Sequence, residues 1–125
     1  MFNFLLKPSR SIICNSNNSN KLSDNDNIYV YAKFYFKPGE IVNFINVLKG
    51  PEGLKKTREF KGCLDIKCFL DTDNEDCLVL YQKWESKEDH ESYLNWRKES
   101  GMMDKLNKNL LEPLVPIYLD YISDL

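Results

Sequence analysis

The sequence predicts a single α+β domain over residues 27–125, with segments in the order β-α-β-β-α-β and the helices covering one face of an antiparallel sheet. Three observations lead there. Residues 28–37 alternate between two faces, and the runs 63–70 and 77–84 have strand composition on either side of an acidic turn. Two helical stretches, each interrupted by glycine, follow the first and third strands. A chain of 125 residues has room for one such domain. It can bury about two-thirds of its unfolded surface without disulfide staples.

Ile28, Val30, Ala32, Phe34 and Phe36 form one side of the first strand, and Tyr29, Tyr31, Lys33, Tyr35 and Lys37 the other. The first side suits a core. The second is amphipathic and suits a partner surface better than bulk water. Lys37-Pro38-Gly39-Glu40 ends the strand, with Pro38 and Glu40 suited to a first helical turn. Ile41, Phe44, Ile45 and Leu48 then make an i, i+3, i+4, i+7 stripe that packs on the sheet. Gly50-Pro51 breaks that helix, and a short second piece runs from Glu52 to Phe60 with Leu54 inward.

Cys63 to Leu70 reads as a strand with Leu64, Ile66, Cys68 and Leu70 on its apolar face, and Cys77 to Trp84 as the next. The run Asp71–Asp76 between them is a hairpin loop, without the glycine and glutamate offsets of a calcium-binding loop. Ser86 caps a helix with Asp89 at its third position, and Tyr93, Leu94 and either Trp96 or His90 give that helix an apolar side. Beyond Gly101 the pattern resumes at Met102, Met103, Leu106 and Leu110. A last strand spans Ile117 to Ile122, presenting either Tyr118 and Ile122 or Ile117, Leu119 and Tyr121 on a given face. This order is ferredoxin-like. Because the helices cover one face only, the tyrosine face calls for a second copy of the chain, and a homodimer is expected.

Residues 1–26 differ in kind, being rich in asparagine and serine. They read as a low-complexity arm with little to bury, dispensable for folding. Lys7, Arg10 and Lys21 precede any acid there, a faint likeness to an organellar transit segment set against a cytoplasmic expectation. A net charge of −2 gives no basic footprint for nucleic acid, and no apolar run approaches the roughly 18 residues that cross a membrane. Cys14, Cys63, Cys68 and Cys77 lack metal-ligand spacing and a secretory leader, so reduced structural thiols are expected. No nucleophile elbow, phosphate-cradling loop or dinucleotide fingerprint is present.

Three segments, Val30 to Gly39, Gly62-Cys63-Leu64, and Tyr81 to Glu88 leading into Tyr93-Leu94-Asn95-Trp96-Arg97, resemble the antibiotic biosynthesis monooxygenase domain family in their order and spacing. The resemblance covers residues 27–124 and implies a dimeric α+β barrel. It also implies a monooxygenase acting on a phenolic or quinol-like substrate with no bound cofactor or metal. The alternative is a non-catalytic dimeric binding or accessory module of the same fold. The haem-degrading branch of the family fits poorly, since its strand asparagine falls on Ala32 and its helix histidine falls near Tyr93 and Leu94.

For such chemistry the catalytic candidates are His90, Tyr93 and Trp84, with Trp96, Arg97 and Phe44 as substrate-binding candidates. His90 is the chain's only histidine and the only side chain whose ordinary pKa lies near neutrality, which suits a general base. Its competing reading is an exposed turn among Glu88, Asp89 and Glu91. Tyr93 suits orientation of a substrate hydroxyl or a satisfied core position, and Trp84 suits a pocket wall. Arg97 suits either a carboxylate of substrate or partner, or a rim salt bridge.

Overall fold

The structure is a computed structural model, and it describes residues 27–125. The expectations for the arm, including Cys14 and the targeting segment, lie outside the described residues. The elements in chain order are β1 (Ile28–Tyr35), α1 (Ile41–Lys49), α2 (Leu54–Glu59), β2 (Cys63–Asp71), β3 (Asn74–Trp84), α3 (Lys87–Glu99), α4 (Met102–Lys108) and β4 (Ile117–Leu119). The β-α-β-β-α-β order with split helical regions is therefore as read from the sequence. No helix among the described residues is long and apolar enough to cross a membrane.

The four strands form one antiparallel sheet in the order β2-β3-β1-β4. The sheet is open. This corrects the expected barrel: the sheet does not close, β2 and β4 are its edges, and β4 is three residues long.

β1 supplies the floor of the core. Val30, Ala32, Phe34 and Phe36 are buried, whereas Tyr29, Tyr31 and Tyr35 on the opposite face are half-buried. Opposite them in β3, Leu78, Leu80, Gln82 and Trp84 point inward. Ile41 is buried, and Phe44, Ile45 and Leu48 pack against the same cluster, so the α1 stripe meets the sheet as its spacing predicts. Each fully buried aliphatic or aromatic side chain here contributes about 1.5–3 kcal/mol relative to exposure.

β2 departs from its expected pattern. Ile66 is buried, but Leu64, Cys68 and Leu70 are exposed. A register shift between Cys63 and Asp65 interrupts the alternation at Leu64, and β2 is an edge strand, paired on one side only. β4 is also shorter than predicted. It pairs with β1 only from Ile117 to Leu119, placing Tyr118 on the inner side and the exposed Ile117 and Leu119 on the outer.

Two local features hold the helices over the sheet. Ser86 caps α3 by accepting from the Asp89 amide at 3.1 Å. The turn between α1 and α2 brings Gly53 so close to the backbone that a Cβ there would collide with the Val47 and Leu48 carbonyl oxygens. Only glycine fits, and the tight turn aims the Glu52 and Gly53 carbonyls toward α3.

Candidate functional site: a cavity between the sheet and the third helix

A cavity of about 180 Å³ lies between the inner sheet face and the helices. Phe34, Phe44, Leu48, Leu80, Met103 and Leu114 give it an apolar end, and Gln82, His90, Tyr93, Thr57 and Arg97 give it a polar one. The polar residues come from β3, α2 and successive turns of α3, where positions 90, 93 and 97 share a face by helical spacing.

His90 is 1% exposed, which removes the reading of it as an exposed turn residue. Of its acidic neighbours, Glu88 and Glu91 are exposed and Asp89 packs against Gly62, while the His90 ring is buried. Nδ1 is 2.9 Å from the Tyr118 hydroxyl of β4, and the Trp84 ring stands edge-on at 5.3 Å between centroids. Burial pushes the imidazole pKa down to about 4, so the ring is neutral at pH 7. Burial, with Glu91 adding to it, raises the Tyr118 pKa and keeps that group a hydroxyl able to donate or accept. With Nδ1 engaged by Tyr118, Nε2 is the ring nitrogen left for a ligand.

Arg97 is 5% exposed and belongs to a buried network, not to a rim salt bridge. Its Nη1 donates to the Glu52 carbonyl at 2.7 Å, and Nη2 donates to the Gly53 carbonyl at 3.0 Å and to Thr57 Oγ1 at 3.1 Å. Nε donates to the Tyr93 hydroxyl at 2.9 Å, which also lies 2.8 Å from Thr57 Oγ1. The guanidinium rests 4.6 Å from the centre of the Trp96 ring. This arrangement uses the planar fork that distinguishes arginine from lysine. It ties α3 to α2 and fixes the Tyr93 hydroxyl.

Of the six residues singled out in the sequence, His90, Tyr93, Arg97 and Phe44 line this cavity. Trp84 is fully buried beside it, its indole nitrogen donating to Gln82 Oε1 at 2.9 Å. Trp96 opens instead onto a neighbouring, more exposed groove that Phe44 and Arg97 also border. Sequence reasoning missed Gln82, Thr57 and Tyr118 as site residues. Gln82 carried a signal, being a polar residue at an inward position between Leu80 and Trp84. Thr57 carried none, because its partners lie 36 and 40 residues away.

Among the described residues no three His, Cys, Asp or Glu side chains gather as metal ligands. Cys63, Cys68 and Cys77 are free, and burial raises the thiol pKa of each. The buried polar side-chain atoms of the described residues all have hydrogen-bond partners.

An open ferredoxin-like sheet roofed by split helices, with an aromatic and polar cavity between the layers, defines the class of domain. The sequence model of the antibiotic biosynthesis monooxygenase family matches residues 27–98, and the chain belongs to that family. A conserved protein from Methanosarcina mazei Go1 is similar in structure, with a TM-score of 0.66 and 19% identity over 75% of this chain and 91% of that one. A putative antibiotic biosynthesis monooxygenase from Nitrosomonas europaea gives 0.63 and 14%, covering 79% and 93%. A monooxygenase from the gene ActVA-Orf6 of Streptomyces coelicolor, in complex with the ligand Nanaomycin D, gives 0.62 and 17%, covering 75% and 86%. At these identities the likeness is one of fold. Comparison with curated proteins returned no significant match.

Proposed function

We propose that this chain is a small-molecule monooxygenase whose substrate is a phenolic or quinol-like ring bound in the cavity between the sheet and α3. The observation that carries this reading is a neutral, buried His90 on the wall of a ring-sized space. An engineered apolar cavity of about 150 Å³ holds benzene. A space of about 180 Å³ therefore takes one ring, and its open side leaves room for a second. The similar Streptomyces coelicolor protein holds Nanaomycin D, which agrees with an organic ligand for this fold.

In this reading His90 Nε2 accepts the phenolic proton. A pKa of about 4 makes the imidazole a weak base toward water but leaves its nitrogen unprotonated at pH 7. The imidazolium formed lies beside the new phenolate, and in a poorly hydrated pocket their attraction offsets much of the cost of charging a buried ring. The phenolate supplies the electron that dioxygen requires, so the reading calls for no resident cofactor. Overall, a phenolic ring and one O₂ yield a quinone and one water. Tyr93, held by Arg97 and Thr57, orients the substrate hydroxyl. Phe44 forms the apolar wall, Trp84 backs His90, and Trp96 packs on Arg97 at the rim.

The functional unit in this reading is a homodimer joined through the outer sheet face. Tyr29, Tyr31, Tyr35 and Tyr81 share that face with Phe69, Ile117 and Leu119, which are 51%, 50% and 46% exposed. Lys33, Lys67 and Lys83 lie among them, two of these over the Tyr31 and Tyr29 rings, and an amphipathic face so rich in rings suits a second copy better than water. Light scattering at micromolar concentration should give twice the 14.7 kDa of one chain, and a mass of 14.7 kDa would refute the dimer.

The test of function is oxygen uptake against a panel of naphthols, hydroquinones and anthrone-like phenols, without added metal or flavin. Uptake that falls at least tenfold in His90→Ala supports the reading. Binding of the panel without oxygen uptake would make the chain a binding module instead.

A further inference from the structure

We infer that Gln82 sets ligand specificity: its side-chain amide is a fixed pair of hydrogen-bond donors for an acceptor oxygen, a ring carbonyl or phenolate, on the sheet floor of the cavity. The inference rests on the cavity being the ligand site. Gln82 occupies an inward position of β3 opposite Val30, lines the cavity and is 5% exposed. Its amide orientation follows from its neighbour. An indole N–H can only donate, so the Trp84 Nε1 contact of 2.9 Å must meet the carbonyl oxygen of Gln82 and turn its NH₂ the other way.

Among the described residues nothing accepts from that NH₂. No buried polar side-chain atom there lacks a partner, so the nitrogen reaches open space in the cavity that Gln82 lines. Of the other buried polar groups on the wall, Arg97 is committed to two carbonyls, Thr57 and Tyr93, and His90 Nδ1 to Tyr118. That leaves His90 Nε2 as a free ring nitrogen and the NH₂ of Gln82 as a buried donor on the sheet floor, while the exposed Lys98 lines the cavity from α3. A hydrocarbon ring in the cavity strands the Gln82 donors, whereas a ring bearing an acceptor oxygen satisfies them.

The test compares 1-tetralone with tetralin, which have nearly the same shape and differ at one carbonyl oxygen. Calorimetry on the native protein should find 1-tetralone bound about three- to tenfold more tightly, the range one neutral hydrogen bond supplies. Gln82→Met, similar in length, should erase that preference and keep the tetralin affinity. A second measurement needs no variant. Gln82 is the only glutamine in the chain, so side-chain ¹⁵N-glutamine labelling gives one NH₂ pair. That pair should shift with 1-tetralone and stay still with tetralin. Equal affinities in the native protein, a preference retained in Gln82→Met, or an NH₂ pair unmoved by bound 1-tetralone would overturn the role of Gln82 while leaving the cavity a ligand site. Failure of both ligands to bind would overturn the cavity reading and this inference with it.

Discussion

The layer between sheet and helices has two ends of different construction. At one end Phe34, Phe36 and Phe44 pack with ring centroids 5.2–6.2 Å apart, joined by Ile41, Leu78 and Leu110. At the other, Trp84, His90, Tyr93 and Phe60 form an equally dense aromatic group, with centroids 5.3–6.4 Å apart. That second group carries Gln82, Thr57 and Arg97 inside it. The apolar end is held by non-directional burial, so shape alone governs it. In the polar end each group is tied to a particular partner at 2.7–3.1 Å, and those directions keep the walls from collapsing onto the cavity. One small domain thus holds a closed core around Phe36 and an open site beside it, with Phe34 and Phe44 shared between the two.

The contrast is open to attack from both sides. Phe36→Ala, at the apolar end, should cost about 3–5 kcal/mol in urea unfolding, because a fully buried aromatic is removed and the site refills only partly. Its effect on ligand affinity should be small. Arg97→Met, at the polar end, should cost about 3 kcal/mol, since it strands the Glu52 and Gly53 carbonyls and the Thr57 and Tyr93 hydroxyls. Arg97→Lys should recover less than half of that loss, because an ammonium cannot span the same acceptors.

Acid should act on the polar end selectively. The folded pKa of His90, about 4, lies below its ordinary 6.5, so between those values the unfolded chain binds the extra proton. Stability from this residue is complete above pH 6.5 and is lost as pH falls toward 4, by about 3 kcal/mol in all. Urea midpoints measured across that window should drop in the native chain and drop less in His90→Phe. The smallest effect concerns the cap that positions α3. Ser86→Ala should cost about 1 kcal/mol of thermal or urea stability.

What the sequence made legible follows the same divide. The alternation of β1, the α1 stripe and the Ser86 cap are local patterns, and the fold repeats them. His90 and Tyr93 were picked out by residue type and helical spacing, which are local too. Arg97 was identified, but its partners were not, because the Glu52 and Gly53 carbonyls have no side-chain signature and lie 45 and 44 residues away. Gln82 needed the orientation of Trp84, and Tyr118 needed the pairing of β4 with β1. The apolar reading of β2 failed because edge position and a register shift are properties of the sheet, invisible in one strand. The barrel came from the resemblance, and the open sheet with β2 and β4 as edges overrules it.

We propose His90 as a neutral buried base facing the cavity, and one measurement reaches that property directly. Because the chain has a single histidine, ¹⁵N and ¹H resonances of the imidazole can be followed through a pH titration without assignment ambiguity. The account requires a ring that stays neutral from pH 8 to pH 5, with a midpoint at about 4 or loss of the folded signals before it titrates. A folded protein whose histidine titrates near 6.5 would contradict it, because such a side chain would be exposed to water and no part of a buried site.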